Sequence, residues 1–184
     1  MLFASSTPVS RETLARVVGT DCSLELLIDD LVDDLRDRPY TVVAVAGGWQ
    51  MRTRPGFAST MRAAQVPVRF PAPTLSAFEM GVLAAIAYQQ PVTRGALSTF
   101  FGRAISRDLI AALREAGLIA NGPRSPSPGA PATYVTTSHF LSVFGLPSLR
   151  DLPEPETLEE TGLRNQGPRL IEAASNEVND TSIG

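Results

Sequence analysis

Apolar residues recur along this chain at the two spacings that distinguish helices from strands. Within residues 24–35, leucine and isoleucine stand at i, i+3, i+4, i+7 and i+11, which places one apolar stripe along a helix. Two runs of strand-forming residues, 40–45 and 49–53, follow and flank the pair Gly47-Gly48. Because glycine adopts φ > 0 at no steric cost, this pair predicts the turn of a β-hairpin.

A second copy of the same pattern begins 83 residues later. Residues 8–14, PVSRETL, recur as residues 91–97, PVTRGAL. Self-similarity of this kind implies two copies of one supersecondary unit. In each copy a hydroxyl residue, Ser10 or Thr93, stands where it can cap a short helix, and a further helix is predicted to start at Ser23 or Ser106.

Copy two carries its own helical stripes and its own β-ribbon. A first helix is predicted from about residue 76 to 88, lined by Phe78, Val82 and Ile86. The residues predicted to line its third helix are Ile105, Leu109, Ala112, Leu113 and Ala116. Gly117 ends that helix, and a strand starting at residues 118–119 and a returning strand at 133–136 enclose a loop rich in Pro, Gly and Ser, residues 122–131.

Helices followed by a β-ribbon, twice over, predict the fold class. We expect a mainly α fold with small β-wings, of the α+β class, made of two tandem winged-helix domains. The N-terminal domain covers residues 1–63 and the C-terminal domain covers residues 76–150. Residues 64–75 hold three prolines and predict a linker, and residues 151–184 predict an acidic, partly flexible tail.

The composition argues against an enzyme. The chain has one cysteine, Cys22, and one histidine, His139, so it has too few soft ligands for a His/Cys metal cluster. It also has no P-loop, and we predict no catalytic residue, no metal and no cofactor. No apolar run is long enough to span a membrane, and the first ten residues lack a basic residue, so we expect a cytoplasmic protein.

The charge distribution bears on DNA binding. All sixteen basic residues are arginine. Residues 1–63 carry seven bases and eight acids, a formal charge of −1, whereas residues 76–150 carry six bases and three acids, a formal charge of +3. The third helix of copy one, within residues 21–37, holds seven acids and one arginine, which phosphates would repel. Copy two is more permissive, with Arg103, Arg107 and Arg114 on or near its third helix.

Several short stretches together resemble the segregation and condensation protein B family, from residue 1 to about 163. Residues 2–10, LFASSTPVS, are similar to the family's opening "LLFASSEPLS", and residues 47–55, GGWQMRTRP, to its "GGWQLRTRP". Residues 85–94, AIAYQQPVTR, are similar to "IIAYRQPVTR". Residues 134–137 and 140–153 resemble "YGTT" and "FLEYFGLKSLDDLP" in the same order.

The resemblance implies an accessory subunit of a chromosome condensation and segregation complex. Such a subunit binds the kleisin, of the segregation and condensation protein A type, that bridges a structural-maintenance-of-chromosomes (SMC) ATPase dimer. The resemblance also implies a homodimer formed through the N-terminal domain, and a nucleoid-associated location with weak or indirect DNA contact. The alternative that the residues leave open is a winged-helix transcriptional regulator that binds DNA itself.

Eight residues are candidates for partner binding. They lie on the hairpin, at the corner before the second copy's short helix, and at the end of that helix: Trp49, Arg52, Arg54, Tyr88, Gln90, Arg94, Phe100 and Phe101. Core packing of the tryptophan and helix termination at the corner are the alternatives. Since neighbours on a helix point about 100° apart, we do not expect one core to bury both phenylalanines fully, and an exposed one would indicate a contact surface. Core or loop packing of the pair is the alternative.

Overall fold

The computed structural model describes residues 1–19, 22–65, 74–123 and 129–153, which form an α+β fold. Contacts divide these residues into two units. Unit 1 runs from residue 1 to 65 and takes in Gly145–Ser148, while unit 2 runs from residue 74 to Phe144 and takes in residues 149–153. Each unit combines short helices with a three-stranded antiparallel sheet.

Unit 1 begins with turns and then alternates strand and helix. Its elements are β1 (Val9–Ser10), α1 (Arg11–Val18), α2 (Leu24–Asp34), β2 (Tyr40–Val45), β3 (Gly48–Thr53), a 3-10 turn (Pro55–Phe57) and α3 (Ala58–Ala63). The strand order of the sheet is β1-β3-β2.

Unit 2 opens with a longer helix and then follows the same order. Its elements are α4 (Ala77–Gln89), β4 (Val92–Thr93), α5 (Arg94–Phe101), α6 (Arg107–Glu115), β5 (Ile119–Asn121), β6 (Thr133–Thr136), α7 (Ser138–Phe144) and a 3-10 turn (Leu149–Asp151). The strand order is β4-β6-β5, which matches that of unit 1.

The structure confirms the internal repeat. The first residues of β1 and β4, of α1 and α5, and of α2 and α6 are each separated by the 83 residues found between the sequence copies. The predicted caps are also present. Ser10 accepts a hydrogen bond from the Thr13 amide and Thr93 accepts one from the Ala96 amide, so each strand runs directly into its helix.

The hairpin turn lies one residue earlier than predicted. Val45 pairs with Gly48 across the hairpin, so the two turn residues are Ala46 and Gly47, both with φ > 0. Gly48 has another role, because a Cβ at this position would lie 2.3 Å from the Val9 carbonyl oxygen. The second glycine of the pair therefore allows β1 to approach β3.

The backbone amides of the hairpin turn in unit 1 donate hydrogen bonds to carbonyl groups far along the chain. Ala46 N–H donates to the Leu146 carbonyl and Gly47 N–H donates to the Pro147 carbonyl, each at 2.9 Å. These acceptors belong to Gly145–Ser148, the short stretch that unit 1 takes in from the end of the described chain.

The predicted helical stripes are right in part. In unit 1, Leu24 and Ile28 join the buried cluster, but Leu27 is 40% exposed. In α6 the buried side chains are Ile110 and Leu113, whereas the predicted Ala112 and Ala116 are exposed. The spacing of apolar residues predicts the helical period, whereas the neighbouring elements determine which residues of the helix are buried.

Some predictions fall on residues that the structure does not describe. These are most of the linker at 64–75, the centre of the loop at 122–131, and the tail beyond residue 153. The bounds of the four predicted segments therefore stay predictions.

Replacing Gly48 by alanine should destabilise the protein by about 1–3 kcal/mol, because the new methyl group would force β1 away from β3. Chemical denaturation of the variant measures the loss. Gly56→Ala is the matched control, since a Cβ there meets no atom within 4 Å. Equal stability of the two variants would contradict the close approach of β1.

Candidate functional site

Three phenylalanines of unit 2 pack together, and one of them is exposed. The ring centroids of Phe78 and Phe101 are 5.5 Å apart, those of Phe100 and Phe101 are 5.0 Å apart, and both pairs meet edge to face. Phe100 is 61% exposed, whereas Phe101 is half-buried. The outer phenylalanine is therefore held in place by the inner one and offers its ring to solvent.

An arginine completes this group. The guanidinium carbon of Arg103 lies 3.9 Å from the centroid of the Phe78 ring, which is the geometry of a cation–π contact. Gly102, with φ of 61°, ends α5 in the left-handed conformation and turns the chain toward Arg103. We refer to Phe78, Phe100, Phe101 and Arg103 as the aromatic edge.

A groove of about 430 Å³ adjoins the aromatic edge. It lies between the beginnings of α4 and α6, and its lining residues are Ser76, Phe78, Glu79, Arg103, Ala104, Ser106, Asp108, Leu109 and Ala112. Its walls combine apolar side chains with both signs of charge, which suits a peptide segment better than a single small ion.

The two carboxylates of the groove differ in their surroundings. Glu79 accepts hydrogen bonds from the backbone amide and the hydroxyl of Ser76, both at 2.8 Å, and these bonds lower its pKa. The side chain of Asp108 makes no hydrogen bond or ion pair to another described residue. Asp108 is thus the carboxylate that remains available to a ligand.

The candidates at the corner of unit 2 are engaged within the unit. Gln90 accepts hydrogen bonds from the amide (2.7 Å) and the hydroxyl (3.0 Å) of Thr136 and donates to the Ala87 carbonyl. Arg94 donates to the Ile105 carbonyl at 2.8 Å. These two side chains join α4 to β6 and α5 to the start of α6.

Tyr88, near the end of α4, is also engaged. Its hydroxyl donates to the Pro153 carbonyl, and partial burial raises its pKa. The corner residues therefore support the unit, and the exposed part of the predicted surface is at Phe100.

The hairpin candidates belong to unit 1 and are likewise partly enclosed. Trp49 is half-buried and packs against the core cluster. Arg52 donates to the Gln50 side chain at 3.0 Å, and burial lowers its pKa. Arg54 donates to the carbonyls of Leu35 and Arg38, both at 3.0 Å, where the chain leaves α2.

Two residues of the aromatic edge were not among the candidates. The sequence predicts Phe78 in the apolar stripe of the first helix of copy two and Arg103 on or near the third helix, the one that would contact DNA. The local signal for Phe78 is the cap at Ser76, because α4 then starts at Ala77 and Phe78 lies in its first turn, where the side chain is only half-buried.

The described part of the chain shows no group of three or more side chains arranged to hold a metal ion. Nor does any helix in that part have the length and apolar character needed to cross a membrane.

Comparison with known proteins identifies the family. A family model described as segregation and condensation complex subunit ScpB matches residues 1–155. Segregation and condensation protein B of Moorella thermoacetica is 37% identical over 162 residues, covering 85% of this chain and 80% of the relative. The corresponding protein of Syntrophotalea carbinolica is 37% identical over 177 residues, covering 93% of this chain and 85% of the relative. The chain belongs to the segregation and condensation protein B family.

Two solved structures are also similar in sequence. A conserved hypothetical protein from Chlorobium tepidum is 35% identical, with 79% of this chain and 91% of that chain covered and a TM-score of 0.35. ScpB from Mycobacterium tuberculosis is 29% identical, with 79% and 90% covered and a TM-score of 0.35. The family assignment rests on the family model and the sequence relatives.

Gln90→Ala should lower stability by about 1–3 kcal/mol, because it leaves the Thr136 amide without its acceptor. The adjacent Gln89, which is exposed, provides the control variant Gln89→Ala. Thermal unfolding of both proteins makes the comparison. A Gln90→Ala protein as stable as the control would show that the Gln90 side chain does not hold α4 to β6.

Proposed function

We propose that this protein is a non-enzymatic accessory subunit that binds the kleisin of an SMC complex. Family membership supports this proposal, because the family model describes a subunit of a segregation and condensation complex. The observation that carries it is the aromatic edge of unit 2, where Phe100 exposes 61% of its surface beside a groove. Exposed aromatic and arginine side chains are favoured at protein interfaces.

We propose that both units are winged-helix domains, at residues 1–63 and 76–150, joined by the linker at 64–75. Supporting this are the matched start points of three element pairs and the equivalent strand orders of the two sheets. In this arrangement α2 and α6 are the third helices of the two domains, and β2–β3 and β5–β6 are the wings.

Within unit 2, Phe100 is the proposed direct contact with the kleisin. Phe101 and Phe78 hold its ring, while Gln90 and Arg94 hold the helices that carry the edge. The groove beside it provides room for a side chain of the partner, with Asp108 available to a basic group.

We further propose a homodimer formed through the N-terminal domain and a nucleoid-associated location in the cytoplasm. Supporting the homodimer are two exposed apolar side chains in the first turn, Met1 at 58% and Phe3 at 82%. Any DNA contact is proposed to be weak or indirect, because α2 presents aspartates where a helix that reads DNA presents arginine or lysine residues.

Because the SMC partner provides the ATPase, the purified protein should hydrolyse ATP no faster than the buffer. A coupled phosphate-release assay measures this, with the Cys22→Ala and His139→Ala proteins assayed alongside. Hydrolysis that disappears in either variant would contradict the proposal of a non-enzymatic subunit.

Phe100→Ser should weaken binding to the kleisin encoded in the same genome tenfold or more at an unchanged melting temperature. Burial of one phenylalanine contributes roughly 1.5–3 kcal/mol, and Phe100 is covered only in the complex. Isothermal titration gives the affinity, and differential scanning calorimetry gives the melting temperature.

Two further variants complete this experiment. Phe101→Ser should lower the melting temperature, because Phe101 packs between two rings. Leu149→Ser replaces another exposed apolar residue of unit 2, 41% exposed, and should leave affinity unchanged. If Phe100→Ser binds the kleisin like the wild type, the aromatic edge is not the binding surface.

A further inference from the structure

Two arginines lie on one side of α6 in unit 2. Arg107 and Arg114 are separated by two helical turns, so their side chains leave the same side of the helix about 10 Å apart. Both residues are exposed, and neither side chain has a hydrogen-bond or ion-pair partner among the described residues. The charge of this pair is therefore available to an anionic ligand.

This pair is separate from the groove beside the aromatic edge. The residues of α6 that line the groove are Asp108, Leu109 and Ala112. Asp108 follows Arg107 by one position, so its side chain points about 100° further around the helix. The arginine side of α6 is thus a second surface of the same helix.

The residues of α6 favour duplex DNA as the anionic ligand. Ala111 lies between the two arginines, one turn after Arg107, and its small side chain lets the helix approach a ligand closely. The major groove of B-DNA, about 12 Å wide, admits an α-helix. Single-stranded nucleic acid is bound largely by stacking of bases on aromatic rings, and α6 contains no aromatic residue.

The corresponding helix of unit 1 has the opposite charge. It contains no basic residue and exposes five carboxylates, those of Glu25, Asp29, Asp30, Asp33 and Asp34. Residues 76–150 carry six bases and three acids, whereas residues 1–63 carry seven bases and eight acids. Since the whole chain has a formal net charge of −3, DNA binding depends on close contact with unit 2 and not on long-range attraction.

We propose that the arginine side of α6, formed by Arg107, Ala111 and Arg114, contacts the phosphate backbone of duplex DNA. Each guanidinium would donate hydrogen bonds to the oxygens of one phosphate. Phosphate contacts carry no sequence information, and so few of them give weak binding that depends on salt. The inference rests on the proposed function only in giving the weak DNA contact a place in the fold, and it does not require kleisin binding.

The test is a fluorescence anisotropy titration of a labelled, mixed-sequence DNA duplex with the full chain at low salt. The double variant Arg107→Ala/Arg114→Ala should bind about tenfold more weakly or worse. The slope of log affinity against log salt should become shallower by about 2, because each phosphate contact contributes roughly 0.9.

The matched control removes two exposed arginines from unit 1. The double variant Arg16→Ala/Arg62→Ala has the same net charge as the α6 variant and should bind the duplex like the wild type. Both double variants should keep the wild-type melting temperature, because the four side chains are exposed.

Two further variants test the kind of contact. Arg107→Lys/Arg114→Lys keeps both charges and should keep most of the affinity, since an ammonium group also binds phosphate. Glu115→Gln removes the carboxylate next to Arg114 and should tighten binding about twofold. Loss of affinity in the lysine variant would contradict a contact made to phosphates alone.

The outcomes separate this inference from the proposed kleisin binding. If the wild-type chain does not bind the duplex at low salt, or if the α6 alanine variant binds like its control, the inference is wrong and kleisin binding is unaffected. Equal affinity for a single-stranded oligonucleotide of the same length would also overturn it. In isothermal titration the α6 alanine variant should bind the kleisin like the wild type, so a wild-type chain that fails to bind kleisin contradicts the proposed function alone.

Discussion

In each unit, a strand of only two residues passes without a break into a helix, and the packing of sheet against helices depends on this junction. Val9 is buried and pairs with Trp49, while Ser10 pairs with Gly48 and caps α1. A two-stranded hairpin is marginally stable by itself. The added strand fixes the hairpin to the helices, and it reaches β3 only because residue 48 has no side chain.

The helices that follow a capping residue could be predicted from the sequence, because a cap and an apolar period are local signals. The returning strand at Thr133–Thr136 was predicted at its observed bounds. The strands β1 and β4 could not be predicted, since two residues carry no periodicity and their pairing is set by distant partners. The hairpin turn was predicted one residue too late, because either glycine of the pair can adopt φ > 0 and the local sequence does not determine which of them lies in the turn.

In the candidate site, too, some features can be predicted from neighbouring residues, and others depend on residues far along the chain. Helix geometry predicts that one core does not fully bury both adjacent phenylalanines, and Phe100 is exposed. The roles of Gln90 and Arg54 do not follow from local sequence, because their hydrogen-bond partners are 46 and 19 residues away. The binding roles of all eight candidates stay predictions.

The stretch Gly145–Ser148 has a consequence for how the protein is made. Unit 1 lacks the carbonyl acceptors for its turn amides until residues 146 and 147 have been synthesised, about 80 residues after residue 65. On the ribosome, where N-terminal segments emerge first, unit 1 therefore waits for most of the chain before its last hydrogen bonds can form. A fragment that ends at residue 65 would lack both acceptors, so these two hydrogen bonds could not form in it.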